Sequence, residues 1–311
     1  MKRNIIIIIG ITIGILLSFG LRAYFHHRRE VQIEKGRQGA WEKVQPHLSK
    51  ADTEIAEAAE KNLGKLYSFF QLTKTKTPAF AERCLSFKSK WVLLTGDHKA
   101  FLKEEFDNLV FSATDLDTQI RQAIGDYIRD VQQIEGKLLV DVQTDMNDLP
   151  NLKYSDCSSK EAFTKRINEL VADSSQKTKV AVSLDVTQVA ASEITAFIMA
   201  KLAVIVAERL GLSTAILGGG SLGASESFGL TIVAGIVIDQ IVGCIITWAY
   251  SPEQKISDTI NYEIDMLCLS TIGSKQTNDG LRGLFSKIAA AQIHQRDEAI
   301  KTFVFESEIQ K

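Results

Sequence analysis

Apolar residues recur every three or four positions along most of the chain, the period of helices that bury one face. Ile55, Ala59, Leu63, Leu66 and Phe70 make one such face, and Ser49 with Asp52 three positions on resembles a capping box that opens its helix. Thr77-Pro78 predicts another start, with Thr77 as N-cap and proline at the first helical position. Phe80, Cys84, Phe87 and Trp91 then share a face that runs out before Gly96. Asp97 caps a helix carrying Phe101, Phe106, Leu109 and Val110, and Ser112 with Asp115 opens a longer one. Its stripe is Ile120, Ile124, Tyr127, Val131, Ile134 and Leu138, a bundle or coiled-coil spacing that ends at Leu149-Pro150. A loop, "NLKYSDCSS", precedes a helix with Phe163, Ile167 and Leu170 inward. Ser251-Pro252 with Gln254 marks a further start, and Ile256, Ile260, Ile264 and Leu267 form the face behind it. "GSKQTNDG" is a turn region before a last helix that buries Leu281, Leu284, Phe285 and Ile288 and whose charged end is expected to fray. No stretch alternates with the period of a strand, so the expected fold class is all-α.

Two blocks break the amphipathic pattern. From Asn4 to Phe25 only Arg22 is charged, and that is about the length a helix needs to cross hydrocarbon at 1.5 Å per residue. The run is long for a signal peptide and arginines follow it at once, which favours an uncleaved transmembrane anchor. The second block spans residues 194–250. Its later run ends in Trp248 and Tyr250, rings suited to the headgroup level; its earlier run is interrupted by Lys201, Glu208 and Arg209. These blocks divide the chain into an anchor over 1–25, a helical domain over 26–190, a glycine-rich hydrophobic hairpin over 191–250, and a C-terminal helical segment over 251–311 that packs on the rest.

The stretch "AILGGGSLGASESFG" at the hairpin's centre fits both G-x-G-x-x-G and G-x-S-x-G. A dinucleotide loop needs a βαβ unit around it, and a nucleophile elbow needs the same kind of sheet with a later acid and histidine. No parallel strand is available, and only His294 follows. A different regularity runs through the block. Gly211, Ala215, Gly219, Gly223, Gly235 and Gly243 fall on a four-residue repeat with other small residues, and small residues on one face let two helix backbones approach closely. Asp239 sits mid-run, where a carboxylate needs a partner. In a hairpin turning near residue 220, Lys201 falls at the same depth, and the pair locks the hairpin or lines a water path.

Composition narrows the functions. With 311 residues and a net charge of -2 there is no basic field to recruit nucleic acid. The four cysteines form no C-x-x-C and sit near no histidine cluster, so neither a zinc site nor another cofactor is expected. Cys84 and Cys157 could pair if their domain were exported. Lysines and arginines behind the first run, and their absence from the hairpin loop, favour the cytoplasmic side of a bacterial inner membrane for the helical domain, whereas Lys2 and Arg3 at the amino end point toward an exported one. Nothing in the chain has the arrangement of a catalytic constellation.

Amphipathic helices around a hydrophobic hairpin resemble the pore-forming colicins in outline, over about a third of the chain and without a shared motif. The N-terminal anchor departs from that pattern. The resemblance is architectural and brings no site residue; the position of Asp239 within the run separately raises the expectation of a channel or pore in which it faces a water path. The residues themselves favour a non-enzymatic, membrane-anchored helical protein with a structural, assembly or docking role. Its expected partners are the lipid bilayer and other membrane or membrane-associated proteins, itself included. A third expectation is a single-anchor protein with a soluble helical fold whose core includes 194–250.

Overall fold

The structure is a computed structural model that describes residues 2–86, 98–149, 154, 159–177, 253–276 and 279–307. Seven α-helices make up the elements among these residues: α1 (Lys2–Lys74), α2 (Thr77–Leu85), α3 (His98–Leu109), α4 (Ala113–Asn147), α5 (Lys160–Lys177), α6 (Glu253–Ile272) and α7 (Gly280–Glu306). The described residues are all-α, as the periodicity predicts. No helix among the described residues is long and apolar enough to cross a membrane. The side chains of residues 1–21 lie outside the description, as do residues 178–252 with the expected hairpin.

α1 corrects the sequence reading. It continues through the predicted start at Ser49 and past Pro46. Proline deprives Glu42 of one helical hydrogen bond. Both residues are exposed, so water can serve the freed carbonyl in its place. Good helix formers on either side carry the helix through.

Other termini follow local chemistry more closely. At α4 the backbone N–H of Ser112 donates to Asp115 Oδ2 at 2.8 Å, and that of Asp115 donates to Ser112 Oγ at 3.1 Å. This is the expected reciprocal capping box. α2 begins one residue early, with Lys76 as N-cap and no side-chain cap. The Thr77 hydroxyl is engaged elsewhere, on Lys74 O at 2.9 Å, Asn261 Oδ1 at 2.9 Å and Ser257 Oγ at 3.0 Å. α2 also ends at Leu85, because Ser86 is extended at ψ 160°. The expected continuation through Phe87 and Trp91 lies outside the described residues.

The chain divides into two compact units. The first comprises Met1–Lys50, Gly136–Ser174 and Arg296–Lys311. Its core holds Val44, Leu48, Val142, Met146, Phe163 and Phe303. Phe303 packs edge-on to Phe163 at 5.0 Å and tilts against Tyr154 at 5.4 Å, while Tyr154 donates its hydroxyl to Val304 O at 2.8 Å. This packing corrects the frayed end expected of the last helix. Ala299, Ile300, Phe303 and Val304 are buried, and α7 runs to Glu306 because its last turns still present an apolar face.

The second unit comprises Ala51–Glu135 and Ser175–Gln295. Every predicted inward position of α6, and Leu281, Leu284, Phe285 and Ile288 of α7, lies in its core. Tyr127 stacks on Phe285 at 4.1 Å, and Phe106 meets Phe80 and Phe111 edge-on at 5.4 Å each. The turn between α6 and α7 depends on two glycines. Gly273 has φ +88°, and a Cβ there would lie 1.8 Å from the Asp279 carbonyl oxygen. Asp279 in turn accepts the Ser274 N–H at 2.6 Å.

Candidate docking face

Within the second unit, α1 is clamped on two sides. Toward α4, Lys61 and Asn62 both donate to Asp130 Oδ2, at 3.0 and 2.9 Å, and Lys65 donates to Asp126 Oδ2 at 2.7 Å. The Lys65 hydrogen bond holds the Asp126 carboxyl below its ordinary range. Burial pushes Asp130 upward, but the hydrogen bonds from Asn62 and Lys61 outweigh it and leave this carboxyl low as well. Toward α6, Lys74 contacts both oxygens of Asp265 at 2.8 and 2.7 Å. Glu60 pairs with Arg282 and lies 3.8 Å from Lys275, just past the end of α6. The ion pairs at Lys74 and Glu60 set α1 and α6 antiparallel and place Tyr67 level with Leu269.

That pairing leaves large apolar side chains uncovered. Tyr262, Met266 and Leu269 are 61%, 46% and 51% exposed, and Tyr67 is 52% exposed. Tyr262, Met266 and Leu269 are spaced by four and three, so they share one stripe of α6. Tyr67 is two turns from Lys74 and therefore faces the same side as that lysine. The result is an apolar strip along the α1–α6 seam, with the Lys74–Asp265 pair inside it. Tyrosine and methionine supply large contact areas and are enriched at protein interfaces.

The buried groups nearby are inert by design of the packing. Burial raises the Cys84 thiol to about 12 and the Cys268 thiol to about 11, so both stay protonated. Both are free thiols, and Cys157, the partner considered for Cys84, is outside the described residues. Burial likewise pushes the Tyr127 phenol upward. No cluster of three or more metal-ligating side chains occurs among the described residues.

The residues singled out from sequence as a helix-packing face, Gly211, Ala215, Gly219, Gly223, Gly235 and Gly243, lie outside the described residues, as do Lys201 and Asp239. The exposed strip was not among the sequence expectations, although its signal was present. α6 carries Ile256, Ile260, Ile264 and Leu267 on one side and Tyr262, Met266 and Leu269 on the other. A helix that is apolar on both sides is covered on both sides or binds something. No protein family, curated protein or solved structure matches the chain.

Proposed function

We propose that this chain is a membrane-anchored helical docking protein, a non-enzymatic part of a membrane assembly. The observation that carries the docking role is the strip of Tyr67, Tyr262, Met266 and Leu269, large apolar side chains that stay about half exposed or more. The anchor rests on the sequence from Asn4 to Phe25, where Arg22 is the one charged residue. The small-residue repeat through 211–243 supports a hairpin that packs against itself or a partner helix in lipid. The helical domain then presents the strip to a protein held at the same membrane, on the cytoplasmic side.

A photo-crosslinking side chain at position 262 of the full-length chain in its native membrane tests this. The expected result is a discrete protein adduct that weakens in Met266→Ser and is absent when the same group sits at exposed Gln133 on α4. No adduct from a folded, membrane-embedded chain refutes the docking role. The lipid hairpin has its own test: a chain cut between residues 30 and 40 that stays in solution without detergent refutes it.

A further inference from the structure

In the first unit, α1 has no core to pack on until Ala40, the first of its described side chains to be buried. Before that point Arg22, residues 24–32, Glu34 and Lys35 are exposed, and Ile33 is half-buried. Tyr24 and Phe25 are 59% and 62% exposed, and their rings meet each other edge to face at 5.9 Å.

The charges on this stretch are sorted by side. A helix turns about 100° per residue, so Arg22, Arg28, Arg29 and Lys35 fall with Tyr24 and Phe25 inside an arc of about 160°. Glu30 and Glu34 lie on the opposite side, about 40° apart. Glu30 is paired there with His26, Nδ1 to Oε1 at 3.1 Å. The four bases make no ion pair or hydrogen bond among the described residues. Farther along the same helix, Lys61, Lys65 and Lys74 each meet a carboxylate. Bases that served pairing along the helix would alternate with acids on one face. These share a face with aromatic rings instead. Tyrosine suits the headgroup level of a bilayer, phenylalanine the acyl boundary below it, and arginine grips phosphate with two parallel hydrogen bonds.

We infer that this basic face of α1 binds the headgroups of anionic phospholipid. The inference rests on the reading that the run from Asn4 to Phe25 enters the bilayer, and adds to it a lipid class and a direction. A headgroup layer is about 5–8 Å deep. Lys35 lies ten residues past Phe25, about 15 Å along the axis. It reaches lipid phosphate only if α1 leans toward its basic side. Anionic lipid sets that lean, and neutral lipid leaves it unset.

The full-length chain in lipid vesicles, with a polarity-sensitive fluorescent amino acid in place of Gln32, tests this. Gln32 lies in the middle of the basic face; His27, on the acidic side, takes the same group as the control. Position 32 is expected to emit further to the blue in vesicles containing phosphatidylglycerol than in phosphatidylcholine alone, while position 27 emits alike in both. One surface base contributes about 5-fold to the preference for anionic lipid. Arg28→Gln with Arg29→Gln is therefore expected to raise the phosphatidylglycerol content at half-maximal shift by about 5-fold or more, whereas Arg28→Lys with Arg29→Lys keeps it within about 2-fold. Salt at about 1 M, where screening acts within about 3 Å, is expected to reverse the shift. Equal emission from position 32 in both lipids overturns the inference and leaves the face to an acidic protein. A shift that survives the glutamine pair, or that is matched at position 27, overturns it as well. Release of the chain from phosphatidylcholine vesicles by alkaline carbonate refutes the anchor alone, and the lipid-dependent shift at position 32 still decides this inference.

Discussion

Tyr127→Phe is expected to stabilise the protein. Tyr127 is fully buried, stacks on Phe285, and its hydroxyl meets no hydrogen-bond partner among the described residues. A buried hydroxyl left unpaired costs about 1–3 kcal/mol against its hydrated state in the unfolded chain. Phenylalanine keeps the ring, the stack and nearly all the volume, so the substitution removes that cost with little cavity formation. The low end of the range is the safer expectation, about 1 kcal/mol, or roughly 2–4 °C in the transition of a unit this size. Tyr127→Leu serves as the contrast: it also removes the hydroxyl but loses the stack, and should destabilise by about 1–3 kcal/mol. Urea unfolding followed by far-UV circular dichroism reads both. The pH dependence supplies a second check. Burial raises the phenol above its ordinary value, so the folded state prefers it protonated. Its contribution is fully present below the unfolded value of about 10 and falls as pH rises above it. Tyr127→Phe should therefore lose less stability between pH 9 and 11 than the wild type. A loss of 1 kcal/mol or more in Tyr127→Phe at neutral pH refutes the reasoning, because it would mean the hydroxyl is bonded.

Other consequences follow from the same structure. Gly273→Ala places a methyl group against the Asp279 carbonyl at a positive φ, and should cost about 2–4 kcal/mol in urea unfolding. The Asp126 carboxyl is held low chiefly by the Lys65 hydrogen bond; its stabilising effect is present above the unfolded value of about 4 and is lost as pH falls through the folded value. Lys65→Met should accordingly flatten the stability profile between pH 5 and 2, as followed by thermal melts. Cys84 and Cys268 are buried thiols raised to about 12 and about 11, so peptide mapping after iodoacetamide at pH 8 should find both unlabelled until denaturant is added. Ser112→Ala removes one half of a reciprocal cap and should cost about 1 kcal/mol.

The inward faces were legible because burial and helical period coincide. Ile256, Ile260, Ile264 and Leu267, and the stripe from Ile120 to Leu138, needed no tertiary information beyond the existence of a core. Helix starts were legible where side chains had no competing partner. Ser112 behaves as its sequence suggests, whereas Thr77 is drawn to Ser257 and Asn261, nearly two hundred positions along the chain. Ser49 failed as a start because nothing next to it breaks the helix and the one proline nearby faces water. The docking strip was less legible. An apolar residue on a helix reads as core until the packing shows what covers it, and only the α1–α6 pairing shows that Tyr262 and Met266 are left out.

The Lys74–Asp265 pair also determines what can adhere to the strip around it. In water such an exposed pair contributes little. Anything that settles over Tyr262 and Leu269 dries it, and a desolvated ion pair is a burden of several kcal/mol unless the newcomer supplies hydrogen bonds in compensation. A featureless oily surface has none to give. A partner docked over the seam would therefore have to bring a matching polar group of its own.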